Sequence, residues 1–293
     1  MIISASRRTD IPAFYADWFI NRLNAGYCLV KNPFNPNQIR RVSLTPEDVS
    51  GIVFWTKNAT PLLSKINALD MYEYYFQYSI TPYHNDMERD IADKKTEVIP
   101  SFIEFTKRIG LERMIWRYDP IIITERYNID YHTKAFARLC ELLEGSTRKC
   151  VFSFVIPYKT VAKRLQNSGH KELNIQEKIQ LSETLFLIAQ KHGITLCACC
   201  ELAGLTQAGV QPISCIDATL FNTSASRDKN QRKRCNCAAS VDIGVYNTCM
   251  NGCVYCYANH NESLVKNNFE SHDSDGELLS HSKNSSVATI SSS

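Results

Sequence analysis

Residues 2–26 read Ile-Ile-Ser-Ala-Ser-Arg-Arg-Thr-Asp-Ile-Pro-Ala-Phe-Tyr-Ala-Asp-Trp-Phe-Ile-Asn-Arg-Leu-Asn-Ala-Gly, and they set the pattern that the rest of the chain repeats. The apolar run Ile2–Ala5 predicts a buried strand. The apolar pattern of Pro12–Ala25 predicts a helix that begins near Asp10 and ends before Gly26. A strand, a polar loop and a helix in this order form the repeating unit of parallel α/β folds.

The same alternation continues along the chain. Further strands are predicted at Gly51–Thr56, Tyr74–Ile80, Arg113–Tyr118, Val151–Ile156, Thr195–Cys200 and Val241–Tyr246. Further helices are predicted at Thr60–Leu69, Val98–Ile109, Asp130–Leu143 and Ile175–Lys191, and Tyr27–Leu44 is expected to be an extra hairpin or excursion. Seven or eight such units predict a complete or partial TIM-like barrel, a fold that takes roughly 250 residues.

The composition is that of an ordinary soluble protein, with 44% hydrophobic and 22% charged residues in a chain of 293. The net charge of +3 is too small to indicate nucleic-acid binding by itself. No apolar run approaches the roughly 20 residues of a membrane helix, and no signal peptide is present, so we expect a cytoplasmic protein. Residues 1–260 are predicted to form one barrel domain with a cysteine-rich region at 197–260, and residues 261–293 a disordered Ser/Asn-rich tail.

Twelve cysteines in a reducing compartment require an explanation. Three of them, Cys28, Cys140 and Cys150, lie apart in apolar sequence and are interpreted as inert buried thiols. The other nine fall between Cys197 and Cys256, and such crowding indicates metal binding before disulfides.

The cysteines at the C-terminal end of this region follow the pattern Cys-x3-Cys-x2-Cys, formed by Cys249, Cys253 and Cys256. Thiolates are the usual ligands of iron–sulfur clusters, so the motif predicts a [4Fe–4S] cluster. Three ligands would leave the fourth iron open to chelate S-adenosylmethionine. A zinc site is the alternative, with a fourth ligand from Cys235, Cys237 or His260.

A second set of six cysteines precedes this motif at positions 197, 199, 200, 215, 235 and 237. The subset Cys200, Cys215, Cys235 and Cys237 is predicted to hold an auxiliary cluster or a zinc ion. Partly buried thiols without a metal are the alternative interpretation.

Polar residues follow several predicted strands, where α/β folds place their ligands. Arg7 and Arg8 follow the first strand and could clamp a carboxylate or phosphate, although Asp10 could also simply cap a helix beside surface arginines. Lys57, Arg117 and Asp119 end two further strands and could line the same pocket, or Arg117 and Asp119 could be a structural ion pair. His84 and Glu201 are weaker candidates at two other strand ends.

Two resemblances follow from these stretches. Cys249–Cys256 resembles the radical S-adenosylmethionine signature, and Asp242–Thr248 resembles the strand that precedes it. The chain from about residue 1 to 260 also resembles the family called domain of unknown function 1848, in Ser6–Tyr15, Phe54–Asn58, Trp116–Pro120 and the cysteine block through Asn259.

The resemblance implies an iron–sulfur protein related to radical enzymes, without naming a substrate. From their positions at strand ends and beside the last cysteine, we expect Arg7, Arg8 and Tyr255 to bind the cofactor and Lys57, Arg117 and Asp119 to serve catalysis. Radical enzymes usually carry this motif on their first strand, whereas here it follows the last one. A circularly permuted barrel would still place the cluster loop beside the N-terminal strand.

The predicted function is a radical S-adenosylmethionine-type enzyme that uses an electron donor and acts on an anionic or nucleotide-like small molecule. The alternative is a nucleic-acid-binding module in which zinc or a cluster only stabilises the fold. The basic run Arg227–Arg234 is its main support, because such a run can contact a phosphate backbone. A solvated loop face would explain the same run.

Overall fold

Eight parallel strands form the sheet of the computed structural model, which describes residues 1–200, 204–232 and 234–280. The strand order is β10-β1-β4-β5-β6-β7-β8-β9. The bounds are β1 Ile2–Ala5, β4 Gly51–Thr56, β5 Tyr74–Ser79, β6 Met114–Ile121, β7 Lys149–Phe154, β8 Thr195–Ala198, β9 Gln211–Pro212 and β10 Val241–Asp242. A separate antiparallel hairpin consists of β2 Tyr27–Asn32 and β3 Asn35–Ser43, in the region where an extra hairpin was one expectation.

Helices connect the parallel strands, as the alternating pattern predicts. Their bounds are α1 Ile11–Phe14, α2 Ala16–Ala25, α3 Thr60–Leu63, α4 Ile99–Ile109, α5 Ile129–Leu143, α6 Lys159–Asn167, α7 Ile175–Lys191 and α8 Glu262–Glu270. Shorter helical turns occupy Ile66–Leu69, Lys94–Val98, Leu111–Arg113 and Ala218–Phe221. Within the part of the chain that the structure describes, none of the helices has the length and apolar character needed to cross a membrane.

Apolar side chains cover both faces of the sheet. On one face Phe54, Phe76 and Trp116 pack with helix residues such as Trp18 and Phe136. Their neighbours along the strands point to the opposite face, as the two-residue period of a strand requires. Both faces are therefore buried, which is typical of parallel sheets.

The segment between β9 and β10 covers the second face, and we call it the covering segment. Its Phe221 lies so close to Gly51 that a Cβ atom there would stand 2.3 Å from the ring. Tyr75 Oη and Gln77 Nε2 donate hydrogen bonds of 2.8 and 2.9 Å to the carbonyl oxygen of Cys215. These contacts from central strands hold the covering segment against the sheet.

The strand that precedes the cysteine motif lies beside the N-terminal strand, as a permuted barrel predicts. β10 pairs in parallel with β1, with Ile3 opposite Val241 and Ser4 opposite Asp242. In the described residues β9 and β10 are the two edges of the sheet. The fold is thus an eight-stranded parallel α/β sheet compatible with a partial barrel, and paired strands do not close it into a ring.

The predicted disordered tail is wrong for residues 262–280. Helix α8 begins after Asn261, whose side chain accepts a hydrogen bond from the Leu264 amide, as N-caps do. Beyond it, Trp18 Nε1 donates to the Gly276 carbonyl at 2.9 Å, and Leu278 pairs with Leu29. These contacts hold residues 262–280 against the folded domain, and the polar composition of the segment did not predict them. Residues 281–293 lie outside the described residues.

Candidate metal centres

Asp242, at the end of β10, fixes the loop that follows β1. Its carboxylate accepts hydrogen bonds from the hydroxyls of Ser4 and Ser6 at 3.0 and 2.5 Å and from the Arg7 amide at 2.8 Å. Arg8 adds an ion pair of 3.1 Å from Nε and a hydrogen bond of 2.8 Å to the Asp242 carbonyl. The guanidinium of Arg8, predicted to bind a cofactor, is therefore already paired within the protein.

The motif loop, Cys249–Cys256, is held by neighbouring loops on two sides. Asn251 Nδ2 donates to Asp10 Oδ2 at 3.0 Å, and the Val254 amide donates to the Met87 carbonyl at 2.9 Å. The loop thereby has a fixed position at the carboxyl edge of the sheet, next to the ends of β1, β4 and β5.

A glycine allows the sharp turn inside this loop. Gly252 adopts a φ of +62°, a region that side chains with a Cβ rarely enter. A Cβ atom at this position would also lie 2.4 Å from Asp90 Oδ2. Both facts explain why a glycine occupies position 252 of the loop.

The three motif thiols lie close enough to influence one another. Burial raises the pKa of the Cys253 thiol well above its ordinary value, and the nearby Cys249 and Cys256 raise it further. Burial likewise raises the pKa of Cys249 to about 12. However, the only group of three metal-ligating side chains within 4.8 Å of one another in residues 1–200, 204–232 and 234–280 lies elsewhere. The motif thiols are thus neighbours without the spacing of a single-ion site.

A buried network of charges lies beside Cys253. The Glu88 side chain is 1% exposed and accepts hydrogen bonds from Lys57 Nζ at 2.8 Å and Lys94 Nζ at 2.5 Å. Tyr255 of the motif loop contacts the same carboxylate, and Lys57 Nζ donates to the Tyr255 hydroxyl at 2.9 Å. Burial would raise the pKa of Glu88, but the two ammonium groups outweigh it and lower the pKa to about 2.

Lys57 is therefore a fixed cation rather than a free side chain at the rim. Burial would lower its pKa, but the Glu88 carboxylate and the Cys253 thiol raise it above the ordinary value. Its backbone amide also donates to Asp10 Oδ2 at 2.7 Å. The structure thus brings the predicted residues Lys57 and Tyr255 together beside the motif loop.

Arg117 and Asp119 form an ion pair on the second face of the sheet, beneath the covering segment. Arg117 Nη2 lies 2.7 Å from Asp119 Oδ2, and Asp119 also accepts a hydrogen bond from Ser153. Arg117 Nη1 contacts Gln77 Oε1 at 3.0 Å and Cys215 Sγ at 3.2 Å. This arrangement joins the predicted pocket residues to the second set of cysteines.

Arg7 differs from its neighbours in its electrostatic surroundings. Its guanidinium carbon lies 5.0 Å from the centre of the Trp55 ring, and Arg117 lies 5.3 Å from the same ring. Among the described residues no carboxylate lies within ion-pair distance of Arg7, whereas Arg8 and Arg117 each have one. Of the three predicted arginines, Arg7 is the one best able to receive an external anion.

The second set of cysteines contains a compact thiol group. Cys199, Cys235 and Cys237, which we call the second cysteine group, have sulfur atoms within 4.8 Å of one another and could hold a metal ion. The Cys199 sulfur lies 3.9 Å from that of Cys235 and 4.0 Å from that of Cys237. Hydrogen bonds from the Cys199 thiol lower the pKa of both partners.

The predicted subset of this region and the observed group share Cys235 and Cys237. Cys199, which the predicted subset omitted, is central to the observed group, because β8 ends at Ala198 and frees the next residues to turn inward. Cys200 and Cys215 border the group, and the Cys200 sulfur is 3.8 Å from that of Cys199. Cys199 falls inside the predicted strand Thr195–Cys200, whereas β8 ends at Ala198.

Of the two weaker candidates, His84 borders the Glu88 network, because its carbonyl accepts a hydrogen bond of 2.9 Å from the Glu88 amide. His84 is exposed, and its Nε2 lies 3.3 Å from the Tyr131 hydroxyl. Glu201 lies outside the described residues. In the basic run, Arg232 is partly buried, and the Cys200 thiol raises the pKa of its guanidinium against the lowering effect of burial.

Three residues of the site escaped the sequence analysis. Asp242 could have been found, because it ends the strand just before the motif and an acidic residue there faces Arg7 and Arg8. Glu88 and Lys94 lie in a loop without periodicity, and nothing in the sequence connects them with Lys57.

A family model described as a domain of unknown function, DUF1848, matches residues 2–258. The matched region contains the whole parallel sheet, the second cysteine group and the motif loop. No curated protein matches the chain.

Proposed function

We propose that this chain, which belongs to the DUF1848 family, is an iron–sulfur enzyme of the radical S-adenosylmethionine type. Cys249, Cys253 and Cys256 would be the ligands of its [4Fe–4S] cluster. The observation that carries the proposal is the position of the motif loop. It follows β10, beside β1, at the carboxyl edge of a parallel sheet, where α/β enzymes build their active sites.

The donor set fits a cluster better than a single ion. Cysteine thiolates suit iron–sulfur clusters, which spread their ligands over several iron atoms. A zinc ion instead needs four ligands at about 2.3 Å, which would bring the sulfurs to about 3.8 Å from one another. The motif thiols do not form such a group within the described residues. When bound, the cluster would supply an open iron for S-adenosylmethionine and the electron that cleaves its sulfonium.

The charges around the motif loop support a buried anionic centre. Metal binding requires deprotonated cysteines, and burial raises the pKa of the Cys249 and Cys253 thiols, so thiolates at these positions need a positive charge nearby. The Lys57 ammonium lies beside Cys253 and would offset part of the thiolate charge. Lys57 also anchors Tyr255, so we assign both residues to holding the loop in position.

The rim supplies residues for binding small molecules. Arg7 is the best placed to bind the carboxylate of S-adenosylmethionine or an anionic substrate, because its charge is not paired with a carboxylate. Arg8 would act through Asp242 by holding the Arg7 loop. We assign Arg117 and Asp119 to the wall of the substrate pocket, where their ion pair would orient groups of an anionic or nucleotide-like substrate.

The test is cleavage of the cofactor. Protein reconstituted anaerobically with iron and sulfide, then reduced and mixed with S-adenosylmethionine, should release 5′-deoxyadenosine and methionine. The Arg7→Met variant should bind the cofactor at least tenfold more weakly while keeping the cluster. A wild-type cluster that is fully reduced and never cleaves the cofactor would refute the radical assignment.

A further inference from the structure

We infer that Cys199, Cys215, Cys235 and Cys237 bind one tetrahedral metal ion, zinc or iron without sulfide, that fastens the covering segment to β8. This site is separate from the proposed cluster and differs from it in kind. The inference goes beyond the proposed radical chemistry and does not depend on it.

The spacing of the sulfur atoms carries the argument. A tetrahedral ion with metal–sulfur bonds of about 2.3 Å places its thiolates about 3.8 Å apart. The Cys199 sulfur lies 3.9 and 4.0 Å from the sulfurs of Cys235 and Cys237. These separations leave room for one ion at the centre, and they exceed a disulfide bond of about 2 Å.

Cys215 is the fourth ligand that the surroundings favour. Its sulfur lies outside the 4.8 Å group, but it is buried in the same apolar cluster, and the amide of the next residue, Ile216, lies 3.5 Å from Cys237 Sγ. Arg117 Nη1 contacts the Cys215 sulfur at 3.2 Å, which places a positive charge beside this ligand position. Cys200 also lies near Cys199, at 3.8 Å, but it is half-exposed and its backbone has a φ of +59°.

The groups that contact the four sulfurs are suited to an anionic centre. Four thiolates around a divalent ion carry a net charge of −2, which is costly to bury without compensation. The Arg117 guanidinium lies against Cys215, and the amide of Ile216 lies 3.5 Å from Cys237 Sγ. Hydrogen-bond donors that contact the sulfur atoms in this way orient thiolate ligands and stabilise their charge.

The position of the four cysteines shows what the ion would do. Cys199 follows β8 directly, whereas the other three belong to the covering segment. One ion would therefore join the end of β8 to two separate parts of the covering segment. Structural tetrathiolate sites stabilise folds in this way.

The experiment uses the full chain with Cys249, Cys253 and Cys256 replaced by Ala, so that the proposed cluster cannot form. This variant should retain about one zinc or iron per chain and no acid-labile sulfide. Zinc and iron are distinguished by elemental analysis, and either one supports the inference. Tetrahedral thiolate coordination is tested by replacing the ion with Co²⁺ and recording the ligand-field absorption.

A matched pair of serine variants in the same background tests the ligand set. Cys215→Ser should weaken metal retention against a chelator at least tenfold, whereas Cys200→Ser should retain the ion. The opposite result would overturn the assignment of Cys215. If Cys215→Ser does not fold, removing the ion from its parent with a chelator should expose the Arg227–Arg234 segment to trypsin.

Three results would overturn the inference as a whole. Iron with an equal amount of sulfide in the triple variant would indicate a second cluster, and the absence of metal together with a disulfide would indicate a redox pair. Unchanged trypsin resistance after removal of the ion would refute its fastening role. None of these results depends on cofactor cleavage, so the radical proposal stands or fails separately.

Discussion

The motif loop and the second cysteine group both present three or more thiols, but they hold them differently. In the second cysteine group, the sulfurs of Cys199, Cys235 and Cys237 come within 4.8 Å of one another. In the motif loop, Cys253 lies beside the buried Lys57–Glu88 pair, and the three thiols do not form such a group among the described residues. The two regions differ in sulfur spacing and in surrounding charge rather than in the number of cysteines, and on this difference we propose a cluster at one and a single ion at the other.

The largest effect is expected for loss of one motif thiol. Cys253→Ala should remove the iron–sulfur absorbance and reduce 5′-deoxyadenosine formation at least a hundredfold, because a cluster ligand is lost. Cys140→Ala is the matched control, since Cys140 is also buried but lies in α5. Equal cluster content in the two variants, measured by iron and sulfide analysis, would remove the distinction between motif and core cysteines.

A smaller effect is expected for the charge that supports the motif loop. Lys57→Met should lower the free energy of unfolding by about 3 kcal/mol, because it removes one partner of a buried carboxylate. Lys134→Met, which breaks an exposed pair with Asp130, should cost no more than about 0.5 kcal/mol. Urea denaturation of both variants tests this, and similar losses would show that the Glu88 network does not stabilise the loop.

The same network predicts a pH dependence. The pKa of Glu88 is about 2 in the folded protein against an ordinary value of 4.5, so its ionised form stabilises the fold. This contribution, of about 3 kcal/mol, should be complete above pH 4.5 and disappear as the pH falls toward 2.

Urea denaturation of wild type and Glu88→Gln at several pH values isolates that contribution. The difference between their free energies of unfolding should be constant from pH 7 to 5 and shrink below pH 4.5. A difference that instead grows as the pH falls would mean that the neutral carboxyl is the stabilising form.

The smallest effect is expected for the turn of the motif loop. Gly252→Ala and Gly110→Ala should each cost about 1 kcal/mol, because both glycines have positive φ. Only the Cβ at position 252 would also approach Asp90, whereas the one at position 110 meets nothing within 4 Å. A chelator should therefore remove the cluster several-fold faster from Gly252→Ala than from Gly110→Ala. Equal rates in the two variants would show that the turn at Gly252 does not help to retain the cluster.

Local signals explain how much of the fold was predictable. Helix α7 has the predicted bounds Ile175–Lys191, because Asn174 and Glu177 form a capping box at its start and Gly193 follows its end. The predicted helix Pro12–Ala25 is instead two helices, separated at Tyr15, whose hydroxyl donates to the Thr248 carbonyl. A contact between residues so far apart in sequence leaves no local pattern.

Other differences have similar causes. Helix α6, Lys159–Asn167, was not predicted because it is short and buries only Val161 and Leu165. The predicted strand Val241–Tyr246 stops at Asp242, where the carboxylate binds the loop after β1.

The site shows the same division between local and distant information. The spacing of Cys249, Cys253 and Cys256 was visible in the sequence because a single loop contains them. The second cysteine group unites residues 36 and 38 positions apart, and only the fold could show that Cys199 belongs to it. Glu88 likewise meets Lys57 through the parallel pairing of β4 and β5, which brings their following loops together.

The most direct test is iron X-ray absorption on wild-type protein purified without oxygen. We expect sulfur neighbours together with a clear iron–iron scattering shell, which should vanish in Cys253→Ala and persist in Cys235→Ser. Iron surrounded by four sulfurs with no iron neighbour, and unaffected by loss of Cys253, would contradict the central claim that the motif loop holds a cluster.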